Sequence, residues 1–80
     1  MYTKEGDNIN SILKNSSIKR YRQFAGYTQK SLSSELNIPL STYRQKEQGR
    51  TSFSDNEKEK IKAIFSRKIG RVTIDDIFFN

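Results

Sequence analysis

Residues that stop helices fall at Gly26, at the pair Asn37 and Pro39, at Gly49 and at Gly70, and they divide the chain into short segments. Glycine takes the positive φ on which helices commonly end, asparagine enters that region more readily than most residues, and proline lacks the N–H that an interior helical turn needs. Between the stops, the apolar residues keep helical spacing. Leu13, Ile18, Tyr21 and Ala25 predict a first helix over about Leu13 to Ala25, ended by Gly26. Thr28 is suited to cap a second helix, in which Leu32 and Leu36 stand four apart and which ends near Leu36. Pro39, with its φ already helical, suits the start of a third helix that runs to about Gln48, with Gly49 as its stop. Ser54-Asp55-Asn56-Glu57 has the form of a capping box, and Ile61, Ile64, Phe65 and Lys68 follow in helical phase. After Gly70, Thr73 can cap a last short helix through Ile74, Ile77 and Phe78. There is no internal repeat and no β-branched alternation long enough to argue for a sheet. The expectation is an all-α domain of five helices over residues 13–80, preceded by a flexible arm over residues 1–12.

Eighty residues suffice for one domain, and a chain of this size buries only about 60 to 65 percent of its unfolded surface. With neither cysteine nor histidine, it has no disulfide framework, no Cys- or His-based metal site and no histidine general base. The core must come from apolar packing. No Gly-rich phosphate loop or paired carboxylate cluster offers chemistry either, so an enzyme is not expected, nor a metal or other cofactor. The segment MYTKEGDNIN contains no apolar run of signal-peptide length, and no stretch approaches the roughly 20 apolar residues of a membrane span, which predicts a cytoplasmic protein without a membrane partner.

The net charge of +6 is unevenly placed. Residues 17–50 hold seven basic side chains (Lys19, Arg20, Arg22, Lys30, Arg44, Lys46, Arg50) against two acidic ones (Glu35, Glu47), whereas the flanking segments are nearly balanced. Such concentration is the footprint of a site where a polyanion docks, although a solvated Lys/Arg surface has the same composition. The second and third helices, joined by a short turn, fit a helix-turn-helix, in which Leu32, Leu36, Ile38 and Tyr43 pack inward while Ser41, Thr42, Arg44, Gln45 and Gln48 point outward. An ordinary helical hairpin has the same spacing, and the local charge favours the DNA-binding form.

The stretch IKRYRQFAGYTQKSLSSELNIPLSTYRQKEQGR resembles the lambda-repressor and Cro type of helix-turn-helix domain, the XRE family. The resemblance rests on Ile18, Arg22, Thr28-Gln29, Leu32, Leu36, Ile38, Ser41-Thr42 and Glu47-x-Gly49, continues at Thr73 to Phe78, and covers about residues 13–79. It implies a five-helix lambda-repressor-like domain whose third helix enters the major groove of double-stranded operator DNA. It places Leu40, Ser41, Arg44 and Gln45 at base-contacting positions. Arg44 can grip guanine and Gln45 adenine, while Leu40 can touch a thymine methyl; for Arg44 a purely phosphate-neutralising role stays open. Phosphate contacts are implied for Thr28, Gln29, Arg22, Lys46, Gln48 and Arg50. Arg22 and Glu47 match a structural ion pair that fixes the recognition helix against the first helix, leaving part of the guanidinium for a phosphate. The sequence departs from the family pattern at Ser33, where a buried hydroxyl would need a backbone acceptor, at Asn37 in place of the turn glycine, at Pro39 in place of a hydroxyl cap, at Leu40 and at Lys46.

The resemblance implies a phage-type or mobile-element transcriptional repressor, Cro-like, acting as a homodimer on a palindromic operator. The competing expectation is a modulator or antirepressor that acts mainly by binding a heterologous repressor protein, motivated by Pro39, Leu40 and an apolar C-terminus. Ile77, Phe78 and Phe79 are the expected partner interface there, with Phe79 exposed beside Val72.

Overall fold

The protein is described by a computed structural model over residues 17–78; the arm expected over residues 1–12, Leu13 and Phe79 lie outside the described residues. Among the described residues all regular structure is helical. α1 is helical across residues 17–24, and is followed by α2 (Gln29–Leu36), α3 (Leu40–Glu47), α4 (Asp55–Ile69) and α5 (Ile74–Phe78). None of these helices is long and apolar enough to cross a membrane.

One backbone closure ends each of the first three helices. Gly26 donates to the Gln23 carbonyl while Tyr27 donates to that of Arg22; Asn37 and Ile38 donate to Ser34 and Ser33, and Gly49 and Arg50 to Lys46 and Gln45. Each paired closure turns on one residue of positive φ, which is 86° at Gly26, 60° at Asn37 and 89° at Gly49. The helix starts are equally local. Thr28 accepts the Ser31 N–H at 2.9 Å and Ser31 Oγ accepts the Thr28 N–H in return, so serine takes the part usually played by glutamate. Ser54 and Glu57 exchange the same two bonds at the start of α4, and Thr73 and Asp76 at the start of α5. Pro39 stands one residue ahead of α3 with extended ψ and makes no side-chain cap bond.

The core gathers Ile18 from α1, Leu32 and Leu36 from α2, Tyr43 from α3, Ile61, Ile64 and Phe65 from α4, and Ile77 and Phe78 from α5. α2 packs on α3 and α4, and α4 on α5. Two further core residues lie between helices: Phe53 before α4 and Val72 before α5. Phe53 stacks at a tilt on Tyr43 (5.9 Å between ring centres) and on Phe78 (5.4 Å), linking α3 to α5, and each such pair adds about 0.5–1.5 kcal/mol beyond burial. The buried Ser33 hydroxyl donates to the Lys30 carbonyl at 2.9 Å, the backbone acceptor it requires.

The α2–α3 turn depends on Asn37 holding left-handed backbone. Urea denaturation should show Asn37→Gly within a few tenths of a kcal/mol of the parent and Asn37→Val less stable by about 1–2 kcal/mol, since a β-branched side chain meets the following carbonyl in that conformation. Equal stabilities would mean that the turn relaxes to another conformation.

Candidate functional site

α1, α2 and α3 meet at the carboxylate of Glu47. Arg22, from α1, donates from Nε to Oε2 at 2.8 Å and from Nη2 to Oε1 at 3.3 Å. The hydroxyl of Tyr43, one turn earlier on α3, donates to Oε2 at 2.7 Å. Gln29, the first residue of α2, donates its side-chain Nε2–H to Oε1 at 2.7 Å. Nη1 of Arg22 donates to the Tyr27 carbonyl at 2.9 Å, in the link between α1 and α2. Side-chain exposure at the ion pair is 7% for Arg22 and 5% for Glu47, so water contributes little and the protein itself must satisfy the charges.

The electrostatics follow from that geometry. Burial alone would raise the Glu47 carboxyl, but the hydrogen bonds from Arg22, Tyr43 and Gln29, together with the Arg22 charge, outweigh it and hold the group below its ordinary 4.5. Burial, the hydrogen bond to Glu47 and the nearby negative charge push the Tyr43 phenol far up, so it stays a neutral donor. A second link ties α3 to α4. Lys46 Nζ donates to the Ser52 carbonyl and to Glu57 Oε1, both at 3.0 Å, and lies 5.9 Å from the centre of the Phe53 ring. At Glu57, burial opposes ionisation, but bonds from the Ser54 backbone and from Lys46, with the Lys46 charge, leave it lowered as well.

On the opposite side of α3, Ser41, Arg44, Gln45 and Gln48 are exposed and share one outward face, whereas Leu40, also expected at a base, is half-buried and lies in helical phase beside Glu47, and Thr42 is half-buried. Arg50, beyond the closure at Gly49, is exposed too. Thr28 is exposed, with its hydroxyl oxygen used as the α2 cap.

Three residues expected at phosphates are engaged inside the protein, and one expectation, the partner face of α5, needs correction. Gln29 is half-buried: its amide donates to Glu47, and its Oε1 accepts from Arg44 Nε at 3.3 Å. Lys46 donates to Ser52 and Glu57 with its side chain mostly buried, which fastens α3 to α4. The Arg22 guanidinium donates to Glu47 and to the Tyr27 carbonyl at a largely buried site. Ile77 and Phe78 are buried among the core side chains, and so is Val72, because the stripe of α5 closes over α4; they offer no exposed partner surface. The third interface residue, Phe79, lies outside the described residues.

The sequence reading missed the Tyr43 hydroxyl, having taken Tyr43 only as a packing residue; the signal was a tyrosine four residues before a glutamate on the buried face of one helix. It also passed over Phe24, which is 78% exposed. Phe24 lies about 240° around α1 from Ile18, a phase that points away from the core. Comparison of the chain with protein-family models, with curated proteins and with solved structures gives no match.

Denaturation of Tyr43→Phe should show a loss of about 1.5–3 kcal/mol, the range for a hydrogen bond to a charged group, and Glu47→Gln a larger loss of about 3–5 kcal/mol because Arg22 is left buried without its counterion. The acid limb carries a second signature. Glu47 and Glu57 are depressed in the folded state, so the stability they contribute is fully present above about pH 4.5 and is lost as pH falls through their lower folded values. Glu47→Gln should flatten that acid limb, leaving the part due to Glu57; an unchanged limb would mean that Glu47 is solvated.

Proposed function

We propose that this chain is a sequence-specific DNA-binding regulator of the lambda-repressor and Cro type, which lays α3 in the major groove of operator DNA. The observation that carries the reading is the two-sided construction of α3. One side is fastened by the buried Glu47 cluster and by Lys46, and the other presents Ser41, Arg44, Gln45 and Gln48 to solvent. A short helix held this firmly from behind, with amides, a hydroxyl and a guanidinium in front, suits base edges that differ only in where donors and acceptors stand.

Charge supports the same reading. With Arg22 and Lys46 taken up internally, the exposed basic side chains of residues 17–50 are Lys19, Arg20, Lys30, Arg44 and Arg50, against the single exposed acid Glu35. Neither α2 nor α3 has an acidic residue in its first turn, whereas α4 starts with Asp55 and Glu57 and α5 with Asp75 and Asp76. The positive ends of α2 and α3 are therefore left available to phosphates. On this reading Thr28, Gln48 and Arg50 flank the groove, and a cytoplasmic homodimer on a palindromic operator sets two copies of α3 roughly 34 Å apart. The rival reading, a modulator that grips a repressor protein, drew on Pro39, on Leu40 and on an apolar C-terminal face, and two of that face's residues are buried in the core.

Selection from random duplexes, followed by binding at two salt concentrations, tests the proposal. Arg44→Ala and Gln45→Ala should relax specificity at separate base positions, each by about 1–3 kcal/mol, while Arg50→Ala should weaken all sequences alike and reduce the salt slope by about one. A wild-type protein that shows a steep salt slope but selects no sequence would overturn the reading, because phosphate contacts alone produce that behaviour.

A further inference from the structure

The bond between Gln29 and Arg44 crosses from the buried cluster to the outward face, and its direction is set by simple donor–acceptor logic. A carboxylate can only accept and a guanidinium can only donate. Glu47 Oε1 therefore obliges Gln29 to turn its NH2 inward, at 2.7 Å, and the amide oxygen must then face the other way, where Arg44 Nε meets it at 3.3 Å. Were the amide flipped, two acceptors would face each other on one side and two donors on the other. Arg22 and Tyr43 hold Glu47 in turn, so the amide is oriented by a fixed charge.

We propose that Gln29 is a positioning residue for sequence readout: locked by Glu47, it grips Arg44 at Nε and turns the end-on Nη1/Nη2 edge of the guanidinium toward the DNA. That edge matches a pair of neighbouring acceptors such as guanine O6 and N7. Arg44 is exposed and would otherwise sample many rotamers, and fixing it before DNA arrives removes an ordering cost from binding. Specificity at one base pair thus depends on a residue of α2 that touches no base. The inference rests on the DNA-binding reading above.

Gln29→Met keeps the length of the side chain and removes both polar ends, while Glu47 retains Arg22 and Tyr43. In the free protein, NMR of the arginine Nε–H groups should show Arg44 exchanging more slowly than exposed Arg50 in the wild type and at a similar rate in Gln29→Met. On DNA, Gln29→Met should lower the preference at one base pair about tenfold, within the range for one bidentate contact, at the same pair that Arg44→Ala relaxes. In an Arg44→Ala background it should have no further effect, the non-additivity expected of two residues acting as one unit. Gln29→Ala, which suits a first helical position, repeats the test if the methionine variant does not fold. The proposal is overturned by a Gln29→Met loss that is uniform across sequences, by a loss that persists without Arg44, or by an Arg44 Nε–H signal that the substitution leaves unchanged. A wild-type protein that selects no duplex overturns the DNA reading and the specificity role with it, whereas the Arg44 signal then still decides whether Gln29 holds the guanidinium.

Discussion

A buried carboxylate that found fewer than its full set of donors would cost several kcal/mol, and the arrangement of the first three helices follows from how Glu47 avoids that cost. Its donors come from three elements: Arg22 on α1, Gln29 at the head of α2, and Tyr43 one turn back on α3. None can be moved by more than a fraction of an ångström without stretching a bond near 2.8 Å, so the angle between α2 and α3 is set by hydrogen bonds as well as by the packing of Leu32 and Leu36. Apolar residues of equal volume could pack this junction and give equal or greater stability. They would be far more tolerant of a helix sliding by part of a turn. Directional bonds therefore supply positional definition where α1, α2 and α3 meet.

Much of the fold was legible in the sequence because its start and stop signals are local. Thr28, Ser54 and Thr73 each bond to a residue three positions on, and Gly26, Asn37 and Gly49 each close the turn immediately behind them, so the residue types at those positions carry the structural reason within a few residues. Phe53 and Val72 were not legible as core residues, since they lie between helices and no periodicity marks them. Their burial is decided by helices distant in sequence. The side-chain partners of the site divide in the same way. Glutamine and lysine are long enough to reach several partners, and what Gln29 and Lys46 do depends on Glu47 and Glu57, 18 and 11 residues away. A position in the chain fixed where those side chains begin, but the folded surroundings decided where they end.

The charge count has to be divided by the same criterion. Of the seven basic residues in 17–50, two are held in internal ion pairs, and Glu47 is held with them. What faces solvent is a set of cations with almost no acid among them. The internal pairs set the geometry of the helices, and the exposed cations set the long-range field around them. A summed net charge mixes these two roles.

The cluster also keeps one protonation state over a wide range of pH. Burial and the adjacent carboxylate drive the Tyr43 phenol upward, and the bonds to Glu47 drive its carboxyl downward against the effect of burial. Each displacement moves a titration away from neutrality. The orientation of the Gln29 amide depends on Glu47 remaining an acceptor, and so it persists through the whole neutral range. A junction built in this way holds α3 in one pose across that range.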